Sequence, residues 1–199
     1  MITQLLSDTL ADEADAASLE AALERDAPDA PSGQLHELAT LLERYLKSVP
    51  DALDALTAMT KEPHFGRSVA FVTGQALIYL VDEDDLFPET EIGALGLIDD
   101  AYLIHGCIAA LLSAFPELSS PAGYSPPDDR TVAAVRSLFP AGVAAALDRT
   151  CQNLVQVAAG LYSGGARGPS ASREERPALR VGEALAALDG AVQPISPSS

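Results

Sequence analysis

Apolar positions recur along this chain at helical spacing. The clearest set is Leu35, Leu38, Leu42, Tyr45, Leu46 and Val49, which fall three and four residues apart. They make one buried stripe and leave Glu37, Glu43, Arg44 and Lys47 on the wet face of the same helix. Ser18 to about Arg25 reads as a shorter Ala/Leu/Glu helix that stops before DAPDAPSG, a loop by its prolines and glycine. Residues 2–10 have the makings of another short helix, with Ser7 or Asp8 as an alternative start for the next one. Ser48 then offers a cap, Pro50 suits a first turn, and Asp51 favours a helix N-terminus. Leu53, Leu56 and Met59 form the next stripe, which stops before Pro63.

Two almost wholly apolar runs come next, at 66–81 and 92–115, on either side of the acidic turn DEDDLFPETE. The first contains β-branched residues, but Gly74, Gln75 and Ala76 at its centre argue for a helix over a strand. The second carries Asp99, Asp100 and His105 inside it. Proline and glycine at 116–129 mark a boundary, after which Asp128 or Asp129 caps a helical region reaching about Tyr162, with a break near Pro140. SGGARGPSAS is a flexible linker, and Ser172-Arg-Glu-Glu175 is a capping-box pattern opening a last helix to about Leu188. The expected fold is all-α, a bundle of six to eight helices around the 66–81 and 92–115 hairpin. Its parts are acidic N-terminal helices (1–62), the hairpin core (63–119), a helical region (120–162), a linker (163–171), a terminal helix (172–190) and a disordered tail (191–199).

Charge changes this picture more than composition does. With 48% apolar and 21% charged residues the chain is globular in character, yet its formal net charge is −17. Residues 1–63 hold 13 acids and 4 bases, residues 64–119 hold 9 acids and one base, and residues 120–199 hold 7 of each. All the net charge therefore belongs to the first 119 residues. Such a chain repels phosphates, which excludes a basic-groove nucleic-acid binder. The first residues lack the basic segment and apolar run of a signal peptide. Cys107 and Cys151 form neither a disulfide framework nor a zinc motif, so a reducing cytoplasm is the expected compartment.

The two apolar runs invite comparison with a transmembrane hairpin. The first offers too few strongly apolar residues for the ~20 that a span needs. The second holds adjacent aspartates, each costing roughly 2.5–3.5 kcal/mol near a bilayer centre. A buried hairpin in a bundle explains the same pattern without that cost.

The hairpin also carries motifs. Tyr79-Leu80 is followed by Asp85-Leu86-Phe87-Pro88-Glu89 and then by Gly96-Leu97-Ile98-Asp99-Asp100. In these features residues 63–112 resemble the YkvA-like family of small bacterial helical proteins, whose pattern is Tyr-Leu, Asp-Leu-Ile-Pro-Asp, a short turn and Gly-x-Leu-Asp-Asp. The chain departs from that pattern at Glu89, in a turn one residue longer, and in Asp82-Glu83-Asp84. The resemblance implies a helical hairpin and no assigned biochemistry.

Asp85 can cap its own turn. Asp99 and Asp100, adjacent on a helix, point about 100° apart, so each meets a different neighbour. Carboxylates inside an apolar helix need hydrogen bonds, a cation or a proton. One reading has them accept backbone N–H groups of the DLFPE turn. The sharper one has Asp85, Glu89, Asp99 and Asp100 hold Ca²⁺ or Mg²⁺, for which carboxylate oxygens are the right donors, although the spacing is not that of an EF-hand. His105 and Cys107 read as core residues, His36 and His64 as surface ones, and no residue stands out as catalytic.

Three functions fit. The first is a non-enzymatic interaction or adaptor protein, which would bind a protein partner through the acidic half or the Arg-bearing C-terminal helix. An acidic inhibitor or immunity protein for a basic partner is a natural case of it. The second is a membrane-associated protein that uses the apolar hairpin. The third is a divalent-metal-dependent enzyme or sensor built on the acids between Asp82 and Asp100.

Overall fold

A computed structural model of the chain describes residues 14–80, 87, 93–160 and 180–190. Among these residues the protein is all-α: eight α-helices, one 3-10 segment and no strand. The helices are α1 (Ala16–Asp26), α2 (Ser32–Lys47), α3 (Val49–Met59), α4 (Gly66–Leu80), α5 (Ile98–Ala114), α6 (Asp129–Leu138), α7 (Ala141–Ala158) and α8 (Val181–Gly190). The 3-10 segment Gly93–Leu97 leads directly into α5. Both arms of the expected hairpin are therefore helical. The expected 2–10 helix, most of the acidic turn, the linker, the Ser172–Glu175 capping box and the 191–199 tail lie outside the described residues.

Local chemistry explains most boundaries. Asp15 caps α1, its Oδ1 accepting the N–H groups of Ala17 and Ser18 at 3.0 and 3.1 Å. Asp128 caps α6 by accepting from Thr131 N at 2.7 Å. Phe139 turns to extended backbone ahead of Pro140, so α6 and α7 are separate helices where one proline interrupts the apolar pattern. Gly160, at φ +70°, ends α7 in the left-handed conformation that only glycine adopts freely, and its N–H closes on the Val157 carbonyl.

The helices pack around α5. It is flanked by α3, α4 and α7, and touches α2 and α6 at its edges. A second layer forms where α2 packs on α1 and receives α6 and α8. Leu35, Leu38, Leu42, Tyr45 and Leu46 of α2 are buried, as are Val49, Leu53, Leu56 and Met59 of α3, so the expected stripe is divided between two helices at Ser48. Each fully buried leucine there contributes about 1.5–3 kcal/mol relative to an exposed one. The core runs continuously from Ala14 to Leu185. Phe139 fills its far end, with Phe87 and Tyr102 at ring distances of 5.7 and 5.4 Å.

One contact sets the approach of α5 to α7. A Cβ built on Gly106 would lie 2.8 Å from the Cys151 sulfur, so only glycine lets the two helices come this close. At the same crossing the Cys151 thiol lies 3.5 Å from the Leu103 carbonyl.

Candidate functional site

The polar groups of interest lie along α5. Asp99 and Asp100 occupy its first turn and are both buried. The Tyr79 hydroxyl, from the end of α4, donates to Asp99 Oδ2 at 3.1 Å and so ties the two arms of the hairpin together. Carboxylates in the first turn also suit the positive end of the helix dipole. Asp82, Asp85 and Glu89 lie outside the described residues. Among the described residues no group of three or more His, Cys, Asp or Glu side chains is placed to hold a metal ion.

Two turns further on, His105 is buried with both ring nitrogens engaged. Nε2 lies 3.0 Å from Ser48 Oγ, and Nδ1 lies 2.9 Å from the Tyr124 hydroxyl. Ser48 Oγ donates to the Tyr45 carbonyl at 2.7 Å, so it accepts from Nε2–H, and Nδ1 accepts the Tyr124 proton. One neutral tautomer thus satisfies every group. Burial pulls the His105 pKa down to about 4, against a smaller upward effect of a hydrogen bond to the Tyr45 backbone. Burial also pushes Tyr124 up to about 12 and Tyr45 well above the ordinary tyrosine range. With its proton directed at a carbonyl, Ser48 is an acceptor for the histidine rather than a hydroxyl that the histidine activates.

The sequence pattern misassigns Ser48. At the α2–α3 junction its side chain makes no capping hydrogen bond. Its backbone there is helical rather than extended, which turns Oγ back onto Tyr45 and across to α5. Pro50 and Asp51 do occupy the first turn of α3. The proline-rich 116–128 loop holds a second surprise, because Leu118 and Tyr124 insert into the core from it.

Next to His105 a cavity of about 570 Å³ opens between α5, α7 and this loop. Its floor is made by Tyr45, Tyr102, His105 and Tyr124, and Gln152 and Gln156 lie on its exposed side. The Tyr102 hydroxyl donates to Asp148 Oδ1 at 2.7 Å, while Arg136 bonds Oδ2 through Nε at 3.2 Å and Nη2 at 2.9 Å. Burial, with the Asp148 carboxylate next in effect, raises the Tyr102 pKa well above its usual value. The neighbouring Cys107 thiol, hydrogen-bonded to Cys151 and buried, is likewise pushed well up.

The surface is divided in charge. Glu24, Asp26, Asp29, Asp51, Asp54 and Glu62 are exposed on α1, α3 and their adjoining loops. The arginines of the C-terminal part pair mostly nearby: Arg136 with Asp148, and Arg180, just before α8, with Glu183 in its first turn. Arg130 reaches across to Glu37 at 2.5 Å. Arg167, Arg173 and Arg176 lie outside the described residues. Among the described residues one stretch, Gly93–Ala114, is long and apolar enough to cross a membrane by length and composition, and 78% of its most apolar window is buried inside the structure.

No family model, curated protein or solved structure matches this chain. The likeness to the YkvA-like family rests on the motifs alone, of which Tyr79, Leu80, Phe87 and Gly96–Asp100 are among the described residues.

Proposed function

We propose that this is a non-enzymatic interaction protein that receives a basic protein partner on the acidic face of α1–α3, as an inhibitor or immunity protein for such a partner would. The observation that supports it is the separation of charge. Among the described residues, Arg130–Glu37 is the one ion pair joining the C-terminal helices to this face, so its other exposed acids face solvent. Residues 14–63 hold ten acids against Arg25, Arg44, Lys47 and Lys61, and such a net negative surface draws a basic partner in and aligns it, raising the association rate at low salt. The cytoplasm is the proposed setting, and the YkvA-like likeness adds the hairpin scaffold to this reading without adding an activity.

The test is capture on the tagged full chain from extracts of the native host, beside the quadruple variant Glu24→Lys, Asp26→Lys, Asp54→Lys, Glu62→Lys. Glu24 and Asp26 sit in the last turn of α1, where a cation suits the helix dipole better than an acid, so the fold tolerates the change. The expected result is a near-stoichiometric basic protein, lost at high salt and recovered at least about tenfold less well by the variant. A partner that binds wild type and variant equally, or no near-stoichiometric partner in any fraction, overturns the proposal.

A further inference from the structure

We infer that the cavity between α5, α7 and the 116–128 loop is a binding site for a small, uncharged aromatic molecule. Its volume, about 570 Å³, lies within the roughly 300–1,000 Å³ range of small-ligand sites. The inference is independent of the acidic face and stands whether or not that face receives a partner.

The chemistry of the walls selects the ligand. Four buried rings, Tyr45, Tyr102, His105 and Tyr124, form the floor and present faces and edges against which a planar ring packs. Three of the four have their polar atoms already committed. Tyr102 donates to Asp148, and Tyr124 and Ser48 take up the two nitrogens of His105, which leaves the Tyr45 hydroxyl as the one uncommitted polar group of these rings among the described residues. A water in the interior needs two to four polar partners, and this floor has few to offer, whereas an aromatic molecule needs none.

Charge excludes the other classes. Among the described residues Asp148 is the one carboxylate on the cavity wall, and Arg136 and Tyr102 already hold it, so a cationic ligand would have to compete with a formed ion pair. Among the described residues the same wall carries no lysine or arginine for an anion, and His105 is enclosed by its two hydrogen-bond partners. At the mouth, exposed Ser113, Gln152 and Gln156 provide neutral donors and acceptors for a single polar substituent. The ligand thus enters ring first and keeps its polar end at the rim.

The experiment is a fluorescence titration of the full chain with N-phenyl-1-naphthylamine, a neutral aromatic probe whose emission rises in apolar surroundings. Wild type is expected to bind one probe per chain, saturably. Ala109→Trp and Gln152→Trp, both at exposed wall positions, place a ring in the space and should each weaken binding by at least about tenfold while the melting temperature holds. Should Ala109→Trp fail to fold, Gln152→Trp carries the test. The anionic relative 8-anilinonaphthalene-1-sulfonate should bind at least about tenfold more weakly than the neutral probe. No saturable signal, unchanged affinity in the folded filled variants, or equal binding of the sulfonate each overturns the inference.

Discussion

α4 and α5 arise from two runs of similar apolar character, yet they meet the rest of the molecule differently. From Ile98 to Ile108 every residue of α5 except Gly106 is buried, including two aspartates and a histidine. On α4 one stripe is buried, Val69, Val72, Thr73 and Ala76, while Phe71 is 40% and Ile78 59% exposed on the outer side. The cause is the number of neighbours: α5 has helices on nearly all sides, whereas α4 rests on α3, α5 and α7 from one side. Apolar composition marks both runs as helices of the core, and it does not tell a central helix from a lateral one. A central helix must also provide a hydrogen-bond partner for every polar group it carries, which is why Tyr79, Ser48 and Tyr124 converge on α5.

Substitutions should break this contrast at its strong end first. Leu103→Ala on α5 removes a fully buried side chain at the α7 interface and is expected to cost about 2–5 kcal/mol, read from the urea midpoint. A loss under about 1 kcal/mol would mean that α5 is not a tightly packed centre.

The histidine provides the next effect, and its sign depends on where the protons bind. The folded-state pKa of about 4 lies below the ordinary 6.5, so between these values the unfolded chain binds more protons than the folded one. The contribution is complete above about pH 6.5 and is lost as pH falls towards 4, a change of roughly 3 kcal/mol. Unfolding free energies measured from pH 7 to pH 4 should show that slope, and His105→Gln should flatten it. Equal slopes in the two proteins would place the histidine in contact with water.

The smallest effect is expected on the lateral helix. Ile78→Ser, on the exposed side of α4, should change stability by no more than about 0.5 kcal/mol in the same urea assay. A cost above about 1.5 kcal/mol would show that this side is covered and that the two helices are alike.

Local pattern made much of the fold legible. The α2 stripe from Leu35 to Leu46, the Asp128 cap, the interruption at Pro140 and both arms of the hairpin can be read from residues close in sequence. What could not be read depends on contacts between distant segments. Ser48 has the composition of a cap, but its partner is His105, 57 positions away. Tyr124 lies in a Pro/Gly-rich stretch that signals only a loop, and its burial depends on where that loop crosses α5. Cys107 and Cys151 share no local motif, and they meet because Gly106 allows α5 and α7 to close. Of the acids proposed as metal ligands, the sequence pattern puts Asp99 and Asp100 inside a 92–115 helix, whereas the α-helix starts at Ile98 and they occupy its first turn, where Tyr79 bonds Asp99.

The claim with the widest reach is that the acidic face of α1–α3 receives the partner. Hydrogen–deuterium exchange on the captured complex, compared with the free chain, tests it most directly. Protection is expected in α1, in α3 and in the 26–31 and 60–65 loops, with α6 and α7 unchanged and the protection lost at high salt. Protection centred on α6–α7, or on the Phe71–Ile78 side of α4 and persisting at high salt, would contradict the account and assign recognition to another surface.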